Sequence, residues 1–97
     1  MTLTIAFDCD NTLIDWNEEP REEIVTLCRA LAAHFKVIIW SGGGREYAQT
    51  VARRCRLEDI PCFAKFAEGL PVVDIAIDDD QMIRGVRWLL RLEKGNA

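Results

Sequence analysis

The chain has no CxxC pair, no long apolar run, no clustered basic face and a single histidine. Each absence removes a class of function. Cys9, Cys28, Cys55 and Cys62 lack the spacing of a zinc site, and no secretory leader accompanies them to suggest a disulfide framework. The apolar opening breaks at Asp8, short of a signal segment and without a basic start, so reduced thiols in the cytosol are the expectation. No stretch approaches the ~20 residues of a membrane span. The net charge is -4 with the basic residues scattered, which gives no support to nonspecific nucleic-acid binding. His34, at the end of the first expected helix, is assigned no catalytic role.

What is present suits one small α/β domain over 1–97. About half the residues, 49%, are hydrophobic and the charges are mixed, enough for a modest core but not for a second domain or a large lid. Leu3 to Phe7 reads as a buried strand that ends in Asp8-Cys9-Asp10-Asn11-Thr12. While the chain stays extended, Asp8 and Asp10 leave on one side and Cys9 on the other. Two acids held close repel unless a cation joins them or one keeps a proton. A metal site, or a nucleophile beside a general acid, would use that; an Asp/Asn turn capping backbone groups would also account for it.

Leu13 to Glu19 is a connection containing Trp16, and a helix is expected from near Pro20, with Ile24, Leu27, Cys28, Leu31 and Phe35 as its apolar stripe. Val37 to Trp40 predicts a doubly covered strand, with Trp40 packed between layers, closed by Ser41-Gly42-Gly43-Gly44. A second helix from about Arg45 turns Tyr47, Ala48, Val51, Ala52 and Cys55 inward. Pro61 to Ala64 predicts a short strand and Val72 to Ile77 another, which runs into Asp78-Asp79-Asp80. A last helix is expected to carry Met82, Ile83, Val86, Leu89 and Leu90 on one face. This order predicts a parallel sheet. Three strands then end in chemistry along one rim: Asp8/Asp10, Ser41 with its glycines, and Asp78/Asp79.

Magnesium takes oxygen ligands, commonly carboxylates, waters and substrate phosphate. Asp8, Asp10, Asp78 and Asp79 are the candidate metal ligands, with Asp80 left to cap the next helix. Ser41 and Gly42 offer a hydroxyl and a bare amide to a phosphate oxygen, though a flexible turn explains the glycines equally well. Lys65, between apolar neighbours, could balance phosphate charge; solvation is the commoner fate of a lysine. Trp16, Tyr47 and Arg45 lie in or near the loops around this site, with Tyr47 expected in the core.

These pieces resemble the haloacid dehalogenase superfamily. Its first motif, Asp-x-Asp-x-Thr after a strand, stands here as Asp8-Cys9-Asp10-Asn11-Thr12. Ser41 matches the Ser or Thr of the second motif, Lys65 the lysine of the third, and Asp78-Asp79 the acidic fourth, in order across most of the chain. Phe66 stands where members often have proline. The resemblance implies a three-layer Rossmann-like fold with a small parallel sheet flanked by helices and no cap domain. It further implies a Mg2+-dependent phosphomonoester hydrolase, in which Asp8 attacks phosphorus and Asp10 serves as general acid and base. The phosphate would be held by Cys9, Asp10, Ser41, Gly42 and Lys65. The substrate, a small molecule or a macromolecular end, stays open, as does self-association to cover the site. Two rival readings are a receiver-like phospho-accepting switch and a non-catalytic binding module.

Overall fold

The computed structural model describes residues 2–79 and 88–91. They form an α/β fold in the order β1 (Thr4–Phe7), α1 (Glu22–Ala32), β2 (Lys36–Ser41), α2 (Arg45–Arg54), β3 (Cys62–Ala64), β4 (Ile75–Asp78) and β5 (Trp88–Arg91). All the pairings are parallel, in the spatial order β3-β2-β1-β4-β5. The chain moves outward from β1 through β2 to β3, then returns to β1's other side for β4. That reversal between β1 and β4 is a topological switch point, where open α/β sheets place their ligands.

Alternation along the strands divides the core. Ile5, Phe7, Val37, Ile39 and Ile77 face one side, where they meet Ile24, Val25 and Cys28 of α1 and Ala48, Val51 and Ala52 of α2. Ala6, Ile38, Trp40 and Ala76 face the other, against Val73 with Phe63, Leu70 and Leu89. Among the described residues both helices therefore lie on one face of the sheet, and the connection from β4 to β5 lies outside those residues. Cys28 and Cys55 are core thiols, as expected. No helix among the described residues is long and apolar enough to cross a membrane.

Several element boundaries differ from the sequence expectation. Pro20 does not begin α1: it bridges antiparallel to Ile14, and the Arg21 amide donates to the Leu13 carbonyl at 2.8 Å. The connection is thus a small hairpin, and the helix starts at Glu22 with Glu22 and Glu23 in the dipole-favoured first turn. Phe35 falls beyond α1 and is 38% exposed. β4 starts at Ile75, with Val72 exposed. The largest correction concerns the last helix, because Leu89 and Leu90 belong to β5, with Ala76 beside Leu89 and Ile77 beside Leu90. Trp88-Leu89-Leu90 is a short apolar run that periodicity alone cannot assign, and edge pairing to β4 decides it. Met82, Ile83, Val86 and the Asp80 cap lie outside the described residues.

Candidate metal centre

The register of the two central strands creates the site. Phe7 pairs with Ile77, so the next step places Asp8 beside Asp78 on strands about 4.8 Å apart. The Asp8 amide donates to the Ile77 carbonyl at 3.0 Å, which extends the ladder one residue past β1. Equal parity sends both side chains the same way. Asp8, Asp78 and the adjacent Asp79 each offer a carboxylate oxygen, all within 4.8 Å of one another. Asp78 is fully buried and Asp8 nearly so.

Three acids in this setting need positive charge, and one arrives from β3. Ser41 is level with Ala64, and its carbonyl accepts the Lys65 amide at 2.9 Å. The lysine side chain then crosses the strand tips to Asp8 Oδ1 at 3.1 Å and Asp78 Oδ2 at 2.8 Å. Its Nζ also lies over the Trp40 indole, 5.9 Å from the ring centroid. Phe66 follows in the left-handed region, at φ 62°, and its ring leans on Trp40 at 5.8 Å between centroids. A proline at this position could not adopt that backbone, so the turn that delivers Lys65 is built differently from the one the resemblance implies.

Burial, then Asp78, pushes the Asp8 carboxyl up to about 7, against Lys65 and the Cys9 amide, which lower it. Lys65 is shifted upward: burial opposes its charge, but its bonds to Asp78 and Asp8 outweigh that. Between Asp8's ordinary 3.8 and about 7, the folded chain keeps a proton that the unfolded chain has released. Stability should therefore fall as pH rises through that window. Thermal melts without divalent ions should show the decline, and Asp8→Asn should flatten it. Because an ion bound by the fold adds stability by mass action, millimolar magnesium should raise the melting temperature at pH 7.5 in the native sequence.

The three carboxylates fit a hard divalent cation. Magnesium coordinates oxygens at about 2.0–2.1 Å, so oxygens across its shell stand roughly 4 Å apart, a separation within the 4.8 Å that spans the three carboxylate oxygens. Such an ion would be held by Asp8, Asp78 and Asp79.

The other expected site residues are distributed around this centre. The Asp10 carboxylate is not one of the three: it is exposed, and its Oδ1 accepts a hydrogen bond from the Tyr47 hydroxyl. Its side chain departs from the Asp8 direction because the chain coils after β1. The Cys9 carbonyl accepts the amides of Thr12, Leu13 and Ile14, and Asn11 takes φ 60°. The Cys9 thiol turns inward to the Trp40 carbonyl at 3.6 Å, and burial raises its pKa. Only the backbone of Cys9 is thus in a position to meet a ligand. Ser41 is buried and its Oγ accepts the Gly43 amide at 2.9 Å, while the space around Gly42 is open. Gly44 opens α2 at φ 106°, a conformation that favours glycine.

Tyr47 is the contact that the sequence did not reveal. It sits in the first turn of α2, packed against the main core, with its phenol reaching back to the β1 loop. The available signal was chemical: a half-buried tyrosine needs a partner for its hydroxyl. Burial together with the Asp10 bond raises its pKa, the bond being the larger cause. Tyr47 and Asp10 also line an open cavity of about 360 Å³ with Asn11, Asp15, Trp16 and Glu18. Arg45 is not among its lining residues.

Comparison with known proteins adds no relative: no family model, curated protein or solved structure matches the chain. The fold and site define a small parallel α/β protein with an aspartate triad, two of its members buried, able to hold a metal ion.

Proposed function

We propose that the chain is a magnesium-dependent phosphomonoester hydrolase of the haloacid dehalogenase type. The observation that carries this reading is the meeting of Asp8, Asp78, Asp79 and Lys65 at the switch point of the sheet. A bound divalent cation would supply charge neutralisation for the phosphoryl group. The chain's own residues do the rest. An Asp8 oxygen attacks phosphorus, the bond from phosphorus to the ester oxygen breaks, and Asp10 delivers a proton to that departing oxygen. Water then attacks the aspartyl-phosphate at phosphorus while Asp10 takes its proton, which returns Asp8 as a carboxylate and releases phosphate. Lys65, Ser41 and the amides of Cys9 and Gly42 stabilise the three equatorial oxygens, the term on which phosphoryl transfer chiefly depends.

The exposed position of Asp10, apart from the triad, suits this division of labour. A group that must exchange protons with the leaving alcohol and with water belongs at the rim. Tyr47 is then a positioning residue, because its bond to Oδ1 leaves the other oxygen to carry the proton. Asp10→Asn should slow an alkyl phosphate far more than 4-nitrophenyl phosphate, whose phenolate leaves unaided. Tyr47→Phe should show the same pattern more weakly. A hydrogen bond to a charged group is worth about 1.5 kcal/mol or more, so about a tenfold loss in kcat is expected for the alkyl ester and little change for the nitrophenyl ester. Equal losses on both esters would exclude the acid role.

The strand order bears on one rival. Receiver domains have the order 2-1-3-4-5, whereas this sheet is β3-β2-β1-β4-β5. A phospho-accepting switch would label with acetyl phosphate and not turn over. A binding module would neither label nor release phosphate.

A further inference from the structure

We propose that Phe66 selects the substrate: its exposed ring stacks on an aromatic ring that the substrate's alcohol carries on a short linker. The inference rests on the hydrolase reading, because it concerns the alcohol that leaves when Asp8 takes the phosphoryl group. Phe66 directly follows Lys65, whose Nζ lies 3.1 Å from Asp8 Oδ1. It is 62% exposed, yet its ring is supported. The ring centre sits 5.8 Å from that of Trp40, tilted by 50°, within the range of a favourable aromatic pair. Trp40 is itself buried, with the Lys65 Nζ over its ring. Phe66, Trp40, Lys65 and Asp8 thus form one series of neighbours from solvent to nucleophile.

Stability alone does not account for this arrangement. The Ala67 amide closes the turn on the Ala64 carbonyl at 3.3 Å, and Phe66 takes the left-handed position within it, at φ 62°. Glycine adopts that conformation freely, whereas a bulky side chain there is an outlier. The same residue leaves a large apolar surface in water. Beside it the Trp40 indole N–H is buried with no acceptor among the described residues, and unpaired buried donors are rare in folded proteins. Three costs gathered next to the reacting carboxylate point to a surface kept for a ligand. Phe66 offers that ligand a π face and no polar atom, which suits an offset-stacked ring. Position sets the linker. Asp10, which protonates the leaving oxygen, is bonded to Tyr47 on the α2 side of the sheet, whereas Phe66 lies against Trp40 of the other face. An alcohol that serves both carries its ring on a chain of a few atoms.

Phenylethyl and cyclohexylethyl phosphate, alike in length, bulk and leaving group, test this with magnesium present. The phenyl ester is expected to have kcat/KM about fivefold higher, the scale of one aromatic pair beyond its buried area. Phe66→Leu, which keeps an apolar side chain without a π face, and Phe66→Gly, which relieves the backbone, should each remove the preference. Phe66→Trp should preserve it. Circular dichroism checks the fold of each variant, and sedimentation checks whether association changes. Equal kcat/KM for the two esters in the native sequence, or a ratio that Phe66→Leu and Phe66→Gly leave unchanged, overturns the proposal while hydrolase chemistry stands. An unchanged ratio with altered sedimentation also overturns it, and assigns the ring to a protein partner. No release from either ester overturns the hydrolase reading, and this inference with it.

Discussion

Asp8→Asn is expected to reduce phosphate release by at least about 1,000-fold, the scale at which loss of a catalytic nucleophile registers, with the fold retained. An amide is nearly the shape of a carboxylate but is a poor nucleophile towards phosphorus. Asp8 stands next to Asp78, and burial raises its proton affinity. Removing its charge therefore relieves repulsion, while Lys65 still has Asp78 at 2.8 Å. The melting temperature of the variant without metal at pH 7.5 should equal or exceed that of the native sequence. Loss of activity together with a lower melting temperature would instead mark Asp8 as structural.

Lys65→Met should have the opposite character, with a large effect on stability. The lysine side chain is 11% exposed and bridges two acids, of which Asp78 is 0% exposed. Removing one partner of a buried pair typically costs about 3–5 kcal/mol, because the remaining charge loses a close counter-charge. Asp8 can take up a proton, so about 3 kcal/mol is the better expectation, equivalent to roughly 12–24 °C in a chain of this size. Acid and magnesium should each restore part of the loss, by protonating the carboxylates or by replacing the cation. A melting temperature within a few degrees of the native value at neutral pH would show that the bridge does not hold the strand tips. The contrast between the two substitutions separates the residue that reacts from the one that permits three acids to lie together.

Much of this was legible in the residues. β1, α1, β2 and α2 follow from apolar periodicity, and the strand tips carrying Asp8, Ser41 and Asp78 follow from the polar residues that end each run. The pairing of Asp8 with Asp78 was within reach of parity once the sheet was parallel. Other features depended on long-range contacts. Residues 13–19 looked like a connection and Pro20 like a helix start, because their hairpin is held by backbone bonds such as Arg21 to Leu13. Leu89 and Leu90 fit a helix stripe until β4 supplies an edge for them. Asp10 shares parity with Asp8 in an extended chain, but the turn organised by the Cys9 carbonyl takes it to Tyr47. Lys65 had only apolar neighbours to suggest burial, and its two carboxylate partners come from β1 and β4.

Calorimetric titration of the metal-free protein with magnesium is the most direct test of the central arrangement, since it asks whether Asp8, Asp78 and Asp79 act as one cation site. One equivalent should bind to the native sequence, and Asp78→Asn, which removes the most buried of the three carboxylates, should abolish the heat while the fold persists by circular dichroism. No binding to the native sequence, or unchanged binding in Asp78→Asn, would contradict the account.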